Sequence, residues 1–326
     1  MKSLKFHPIV LMVLISSCPP CFGQSDEDMV PFVAYWSIGD SYDFKVTHIK
    51  KRWELYELED GKITASTLTK NDSTSYHSNF LVIDSSETSY TVKWSYDTQL
   101  EDFGFPENIS DQWLKDKVTE VIYKTDELGV LIEIENWKEV SEYMMGLIAT
   151  LVDQYTPKKN RKNMMAMLEP FIEKFSSQEV IETLCFQELQ GFHMLLGGQY
   201  PSNEVMLYED EITNVFSEDP IRANVQLYVD SVDFENQYCK MIQESKINDK
   251  DVKEMLANVF KQMNLNDDDE LQAMKKARYD ITDNNIFEYY YYPGIPINIE
   301  YKREVIVDVL DQKARSIDIT TIELIE

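Results

Sequence analysis

Apolar and polar residues alternate with a period of two over long stretches of this chain. In "YDFKVTHI", Tyr42, Phe44 and Val46 fall on one face, and Asp43, Lys45 and Thr47 on the other. "SYTVKWSY" sets Tyr90, Val92, Trp94 and Tyr96 against Thr91, Lys93 and Ser95. Such alternation predicts strands of a sheet with one buried face. Between them, "DGKITASTLTKNDSTSYHSN" is polar enough to be read as hairpin ends and a loose loop. "EVIYKTDELGVLIEIENW" predicts two strands joined near Asp126 to Gly129.

The period then changes. Asn136 and Glu139 have the spacing of a capping box, opening a helix over Trp137 to about Gln154 that Pro157 ends. A second helix is expected over Lys162 to Phe175, with Pro170 as a break or kink. A third follows Ser176, with Glu179 at the capping-box position, and stops by Gly197-Gly198. Strands return at "EVMLYEDEI" and run through "RANVQLYVDSVDFENQYCKMIQES". Val252, Met255, Leu256, Val259, Phe260 and Met263 then mark an amphipathic helix capped by Asn248. "NIFEYYYYPG", "IPINIEYKREVIVDV" and "KARSIDITTIELI" close the chain as strands.

Strands that are long, alternating and hairpin-connected are unlike the short buried runs of parallel βαβ units. The expected fold class is α+β: a large curved antiparallel sheet, half-barrel-like, with a helical block packed on one face. No internal repeat or flexible linker divides it, so residues 24–326 are expected to form a single domain.

Residues 1–23 read differently. Lys2 and Lys5 precede an apolar run from Ile9 to Ile15 and a small-residue region, the layout of a secretory signal peptide. Cys21-Phe22-Gly23 fits ordinary cleavage. Ile15-Ser16-Ser17-Cys18 instead resembles a lipobox that would put a lipid on Cys18, although Pro19 is awkward after it. Either way the expected destination is export: periplasm, outer-membrane association or secretion. No segment has the roughly 20 apolar residues of a membrane-spanning helix.

Composition narrows the partners. With 43% hydrophobic and 12% aromatic residues the chain can bury a real core. Its formal charge of −27 becomes −29 once the two lysines of the leader are removed. Phosphate backbones and bare anionic lipid are therefore poor partners. Cys185 and Cys239 are the cysteines beyond the leader, a candidate disulfide or two isolated thiols.

Candidate chemistry is sparse. Gly39-Asp40-Ser41 matches the block that opens GDSL hydrolases, but the histidines are His7, His48, His77 and His193, and the residue three before His193 is Gln190. No Asp-x-x-His or Gly-x-Asn-Asp block is present, and the residues after Ser41 alternate as a strand. Ser41 is expected in a turn, without a base or an oxyanion hole. There is no His-Glu-x-x-His and no Gly-rich phosphate loop. Scattered histidines suit zinc poorly, and "NDDDE" at 266–270 lacks EF-hand spacing. Neither a metal nor a cofactor is expected.

Two features point to binding. Met144, Met145, Met164, Met165, Met167 and Met194 lie on the helical block, where flexible thioethers line an adaptable apolar pocket or fill an ordinary core. In "FEYYYYPGIPI", Tyr289 and Tyr291 face one side, and Tyr290 and Tyr292 the other.

"YWSIGDSYDFKV", "VIDSSETSYTVKW", "YKTDELGVLIEIENW", "GIPINIEYKREV" and "RSIDITTIELI" together resemble uncharacterised secreted proteins of Bacteroidota, including the DUF6263-type group. The strand-rich shell over helices is similar to LolA/LppX-like half-barrels, a likeness of fold that implies an apolar, lipid-like ligand. In that phylum Asp-Ser/Thr motifs can be O-glycosylated; Asp72-Ser73-Thr74 and Asp230-Ser231-Val232 match. The expected function is a non-enzymatic exported envelope protein that binds an apolar ligand between sheet and helices. The alternatives are an interaction protein using an acidic, tyrosine-rich face and, remotely, a GDSL-like hydrolase.

Overall fold

A computed structural model describes residues 29–59, 62–96, 120–184, 187–214, 217, 219–262, 272, 276–309 and 312–325. In chain order the strands are β1 (Met29–Pro31), β2 (Ser41–Glu59), β3 (Lys62–Ser85), β4 (Ser89–Tyr96), β5 (Glu120–Asp126) and β6 (Leu131–Ile134). Four helices follow: α1 (Trp137–Tyr155), α2 (Arg161–Lys174), α3 (Gln178–Leu184) and α4 (Gln187–His193). Then come β7 (Gln199–Pro201), β8 (Val205–Ile212), β9 (Ile221–Asp233), β10 (Tyr238–Ile247), α5 (Asp249–Gln262), β11 (Arg278–Tyr290), β12 (Ile295–Val309) and β13 (Gln312–Leu324).

Eleven strands form one antiparallel sheet in the order β6-β5-β4-β3-β2-β13-β12-β11-β10-β9-β8. Two meanders, β2 to β6 and β8 to β13, are thus joined where the last strand pairs with β2, Ile322 opposite Val46. The sheet is not closed, since β6 and β8 stand at opposite ends of the order. The helical stretch α1 to α4 is the connection that takes the chain from one open edge to the other. β1 and β7 make a separate two-stranded ribbon.

Alternation and register decide which side chains share a face. The inner face carries Phe44, Val46, Phe80, Trp94, Ile322, Ile299, Phe287 and Met241, all fully buried. Residues 30–36 lie over it with Val30, Phe32, Ala34 and Trp36 turned inward. That segment is held by Phe32 N–H to Gly198 O at 2.9 Å and Ala34 N–H to Leu128 O at 3.0 Å. Phe192 of α4 inserts among the aromatics, stacked on Phe80 at 5.3 Å and edge-on to Phe44 at 5.5 Å. A second, smaller apolar cluster on the same face joins Ala223, Val225, Ile247 and Val252, with Leu256, Tyr279 and Ile281 packed against it. It is covered by α5.

Local chemistry explains most boundaries. Asn248 Oδ1 accepts from Lys250 N–H at 3.0 Å and Asp251 N–H at 3.3 Å, the N-cap of α5 that the sequence predicts. The β5–β6 turn is an Asp-centred loop: Asp126 Oδ1 accepts from Leu128 and Val130 N–H groups, and Gly129 adopts φ +92°. A Cβ on Gly129 would also meet Ala34 Cβ at 2.8 Å, so a side chain is excluded twice over.

Three expectations are corrected. Asn136 makes no side-chain cap on α1; its Oδ1 accepts from Ile122 N–H and its amide donates to Glu120 O, so strand β5 has claimed the group. α2 runs helical through Pro170 instead of breaking there. The polar stretch after residue 61 is no loose loop but most of the 24-residue strand β3. Its backbone pairs with β2 from Glu59↔Lys62 onward, and residues 65–73 are exposed, so apolar alternation is not needed there.

Candidate functional site

Between the two apolar clusters, the inner face changes character. Moving along the strands away from Ile299 and Phe287, the next row across the sheet is His48, Thr320, Tyr301, Asn285 and Gln243. The row after it is Lys50, Asp318, Arg303, Asp283 and Ser245. Beyond lies Ile281, in the smaller cluster. Phe287 and Ile281 are six residues apart, so the polar strip and its apolar borders span about 20 Å along the strands.

Hydrogen bonds organise the strip. His48 Nδ1 lies 2.9 Å from Thr320 Oγ1. Asn285 Nδ2 donates to Gln243 Oε1 at 2.9 Å, and Ser245 Oγ donates to Asp283 Oδ2 at 3.3 Å. Arg303 grips Asp283 with two bonds, Nε to Oδ1 at 2.7 Å and Nη2 to Oδ2 at 2.8 Å. Lys50 Nζ stands 3.6 Å from Asp318 Oδ1. Arg303 is 49% exposed while Asp283 is 13% exposed, so the guanidinium forms the solvent side of the pair. Among the described residues, two buried oxygens here make no hydrogen bond: the Tyr301 hydroxyl, and Asp318 Oδ1, which has only the longer ion pair with Lys50. Unsatisfied acceptors and donors of this kind are where a ligand gains most.

Sheet and helix meet at the head of the strip. The Tyr301 ring lies so close to Gly191 of α4 that a Cβ there would fall within 1.7 Å of the Tyr301 hydroxyl oxygen. From the same helix, Glu188 Oε1 accepts from the Tyr96 hydroxyl at 3.0 Å. Burial pushes the Glu188 carboxyl above the usual carboxylate range, against the Tyr96 hydrogen bond. Burial and then Glu188 raise Tyr76, whose ring lies 5.7 Å from His48. His48 itself is lowered, by burial and then by Lys50.

His193 is a different case. It is 4% exposed, with Nδ1 2.7 Å from Gly129 O and Nε2 2.9 Å from the Tyr123 hydroxyl. A carbonyl only accepts, so Nδ1 carries the proton and Nε2 accepts from Tyr123. Burial lowers its pKa to about 4, opposed by the Gly129 bond. Both nitrogens are used internally, which makes it a neutral structural histidine.

The residues singled out in the sequence are dispersed. Met144 packs on the large core cluster. The Met145 sulfur accepts from Ser176 Oγ at 3.8 Å. Met164, Met165 and Met167 are half-buried on α2, and Met194 is exposed beyond α4. Cys239 is a free buried thiol, pushed up to about 12 by burial. Cys18, Cys185 and residues 266–270 lie outside the described residues. Ser41 opens β2 after the Gly39-Asp40 turn, and its Oγ accepts from Asn79 Nδ2 at 2.8 Å. Tyr289 and Tyr291 are buried and Tyr290 and Tyr292 exposed, as the alternation predicts; Tyr292 lies against Tyr35 at 4.7 Å. Among the described residues, no group of three metal-ligating side chains converges. No described helix is long and apolar enough to cross a membrane.

Sequence reasoning missed the strip. His48 and Lys50 come from β2, whereas Asp283, Arg303 and Asp318 come from the successive strands β11, β12 and β13 far along the chain from it. The available signal was that β2, β11, β12 and β13 each lose their apolar alternation at mid-length.

No protein-family model matches the chain, and no curated protein matches it. Among solved structures, an outer-membrane channel from Pseudomonas putida matches with a TM-score of 0.20 and 5% identity, covering 90% of this chain and 98% of that one. A score that low carries no argument about fold or function.

Proposed function

We propose that the protein is a non-enzymatic, exported cell-envelope protein that binds a polar ligand on the inner-face strip. Export rests on the leader-like residues 1–23. The observation that carries the ligand seat is the pair of rows His48–Gln243 and Lys50–Ser245, set between two apolar clusters that the chain fills itself. The strip's charges pair with each other, Lys50 with Asp318 and Arg303 with Asp283, and stand among side chains that donate and accept, His48, Thr320, Asn285 and Gln243, which suits a polar ligand. The half-barrel-like sheet with helices over one face fits this role, because Gly191 of α4 packs on Tyr301 of the strip.

Half-burial of Met145, Met164, Met165 and Met167 favours a second reading, an apolar ligand held between the sheet and the helices. Native mass spectrometry of the protein purified from envelope separates the two. The polar reading expects a bound species that is lost in the Lys50→Ala/Arg303→Ala variant. A copurifying lipid indifferent to that variant transfers the function to the methionines. A wild-type protein that retains nothing removes the ligand from both.

A further inference from the structure

The opposite face of the same strands holds a second feature. A cleft of about 670 Å³ opens over β8 to β11. Six polar side chains at its walls, Asn224, Gln226, Glu244, Lys246, Thr282 and Asn284, stand in two cross-strand rows. One row is Gln226, Glu244 and Asn284; the other is Asn224, Lys246 and Thr282. They alternate with the buried Ala223, Val225, Leu227 and Ile247, so they face away from the core. Tyr208, Val225, Ser245 and Asp283, which lie between the two rows, also border the cleft, whereas Arg303 and Gln243 of the inner strip do not.

We propose that this trough is a binding site for a neutral saccharide. Its volume lies within the range of small-ligand pockets, roughly 300–1,000 Å³. The charges are already committed: Lys246 pairs with Asp280, and Glu244 Oε1 accepts from Asn284 Nδ2 at 3.3 Å. Among the described residues of the lining an anion therefore finds no free cation, and the field of a chain at −27 repels it further. Three carboxamides and a threonine hydroxyl remain, each able to donate and accept. A sugar hydroxyl also does both, and neighbouring hydroxyls on a ring match the amide's adjacent donor and acceptor. Leu207, opposite Gln226 and 71% exposed, adds apolar surface at the rim for the C–H face of a pyranose ring. The residues sit on paired strands, so little ordering entropy is lost on binding.

The test is isothermal titration of the full chain with maltohexaose, cellohexaose, laminarihexaose, mannohexaose and chitohexaose, with a heparin hexasaccharide as the charged control. At least one neutral oligosaccharide is expected to bind saturably. Asn224→Ala/Gln226→Ala should weaken it at least tenfold, since both side chains are exposed and their removal leaves the core untouched. Thr282→Val should weaken it by a smaller factor. Binding of heparin alone, binding indifferent to Asn224→Ala/Gln226→Ala, or no binding by any neutral oligosaccharide would overturn the assignment.

Discussion

The larger and smaller apolar regions share the inner face of one sheet but are closed by different means. The larger is sealed by aromatic packing and by backbone: Phe192 on Phe80, Trp36 edge-on to Phe80 at 5.0 Å, and residues 30–36 bonded to Gly198 and Leu128. Its buried base, His193, is neutral. The smaller is sealed by a single helix, and charge fixes that helix. Asp251 Oδ2 accepts from Arg222 N–H and Nε, and Oδ1 from Nη2 at 2.7 Å. Asp249 Oδ1 receives Tyr279 N–H at 2.8 Å. A dense aromatic region resists through burial; a small one at the end of a sheet needs directional bonds to hold its cover.

Truncating the aromatic keystone should produce the largest effect. Phe192→Ala is expected to cost about 3–5 kcal/mol, because the ring touches four aromatic neighbours that cannot collapse into the space. The urea midpoint would fall with little change in slope. A cost near that of a surface substitution would mean that α4 is not the seal of the larger region.

Acid should separate the two regions. His193 has its folded pKa lowered to about 4 from 6.5, so its contribution is complete above about 6.5 and lost as pH falls toward 4. The full loss is about 3 kcal/mol. Asp251 is also lowered, to about 2 from 3.8, first by the Arg222 hydrogen bonds, so its clamp holds until pH drops below about 4. The protection factors of amides in α4 and its neighbours, corrected for intrinsic exchange at each pH, should therefore fall between pH 6.5 and 4, while those of α5 hold until more acidic pH. His193→Gln should flatten the first phase and leave the second in place. A single phase common to both regions would break the distinction.

Much of this architecture was legible in the chain. Phe44 with Val46 and Trp94 with Tyr96 announced their strands, and Asn248 announced α5, because burial and capping are local requirements written in local spacing. Asn136 misled for the opposite reason: its partner is a strand neighbour, Ile122, that only tertiary structure brings near. β3 was illegible through residues 65–73 because a strand with both faces in water has no apolar pattern to show. The strip was hidden likewise, since Lys50, Asp318, Arg303 and Asp283 become one row only when the register of four strands is known.

The smallest expected effect tests whether the clamp on the smaller region lies in the cap or in the ion pair. Asn248 accepts from two of the four N–H groups that the first turn of α5 leaves without helical partners. Its own N–H donates to Arg222 O at 2.9 Å, a backbone bond that survives truncation of the side chain. Asn248→Ala should therefore cost about 1 kcal/mol, the usual worth of an N-cap side chain. Asp251→Ala should cost more, about 1.5–3 kcal/mol, since it removes charge-assisted bonds from a carboxylate that is 7% exposed. Both substitutions should raise exchange in α5 and leave the aromatic region's amides unmoved. If Asn248→Ala proved the costlier of the two, the cover would be held by helix termination and not by the Arg222–Asp251 pair. The two regions would then differ in size alone.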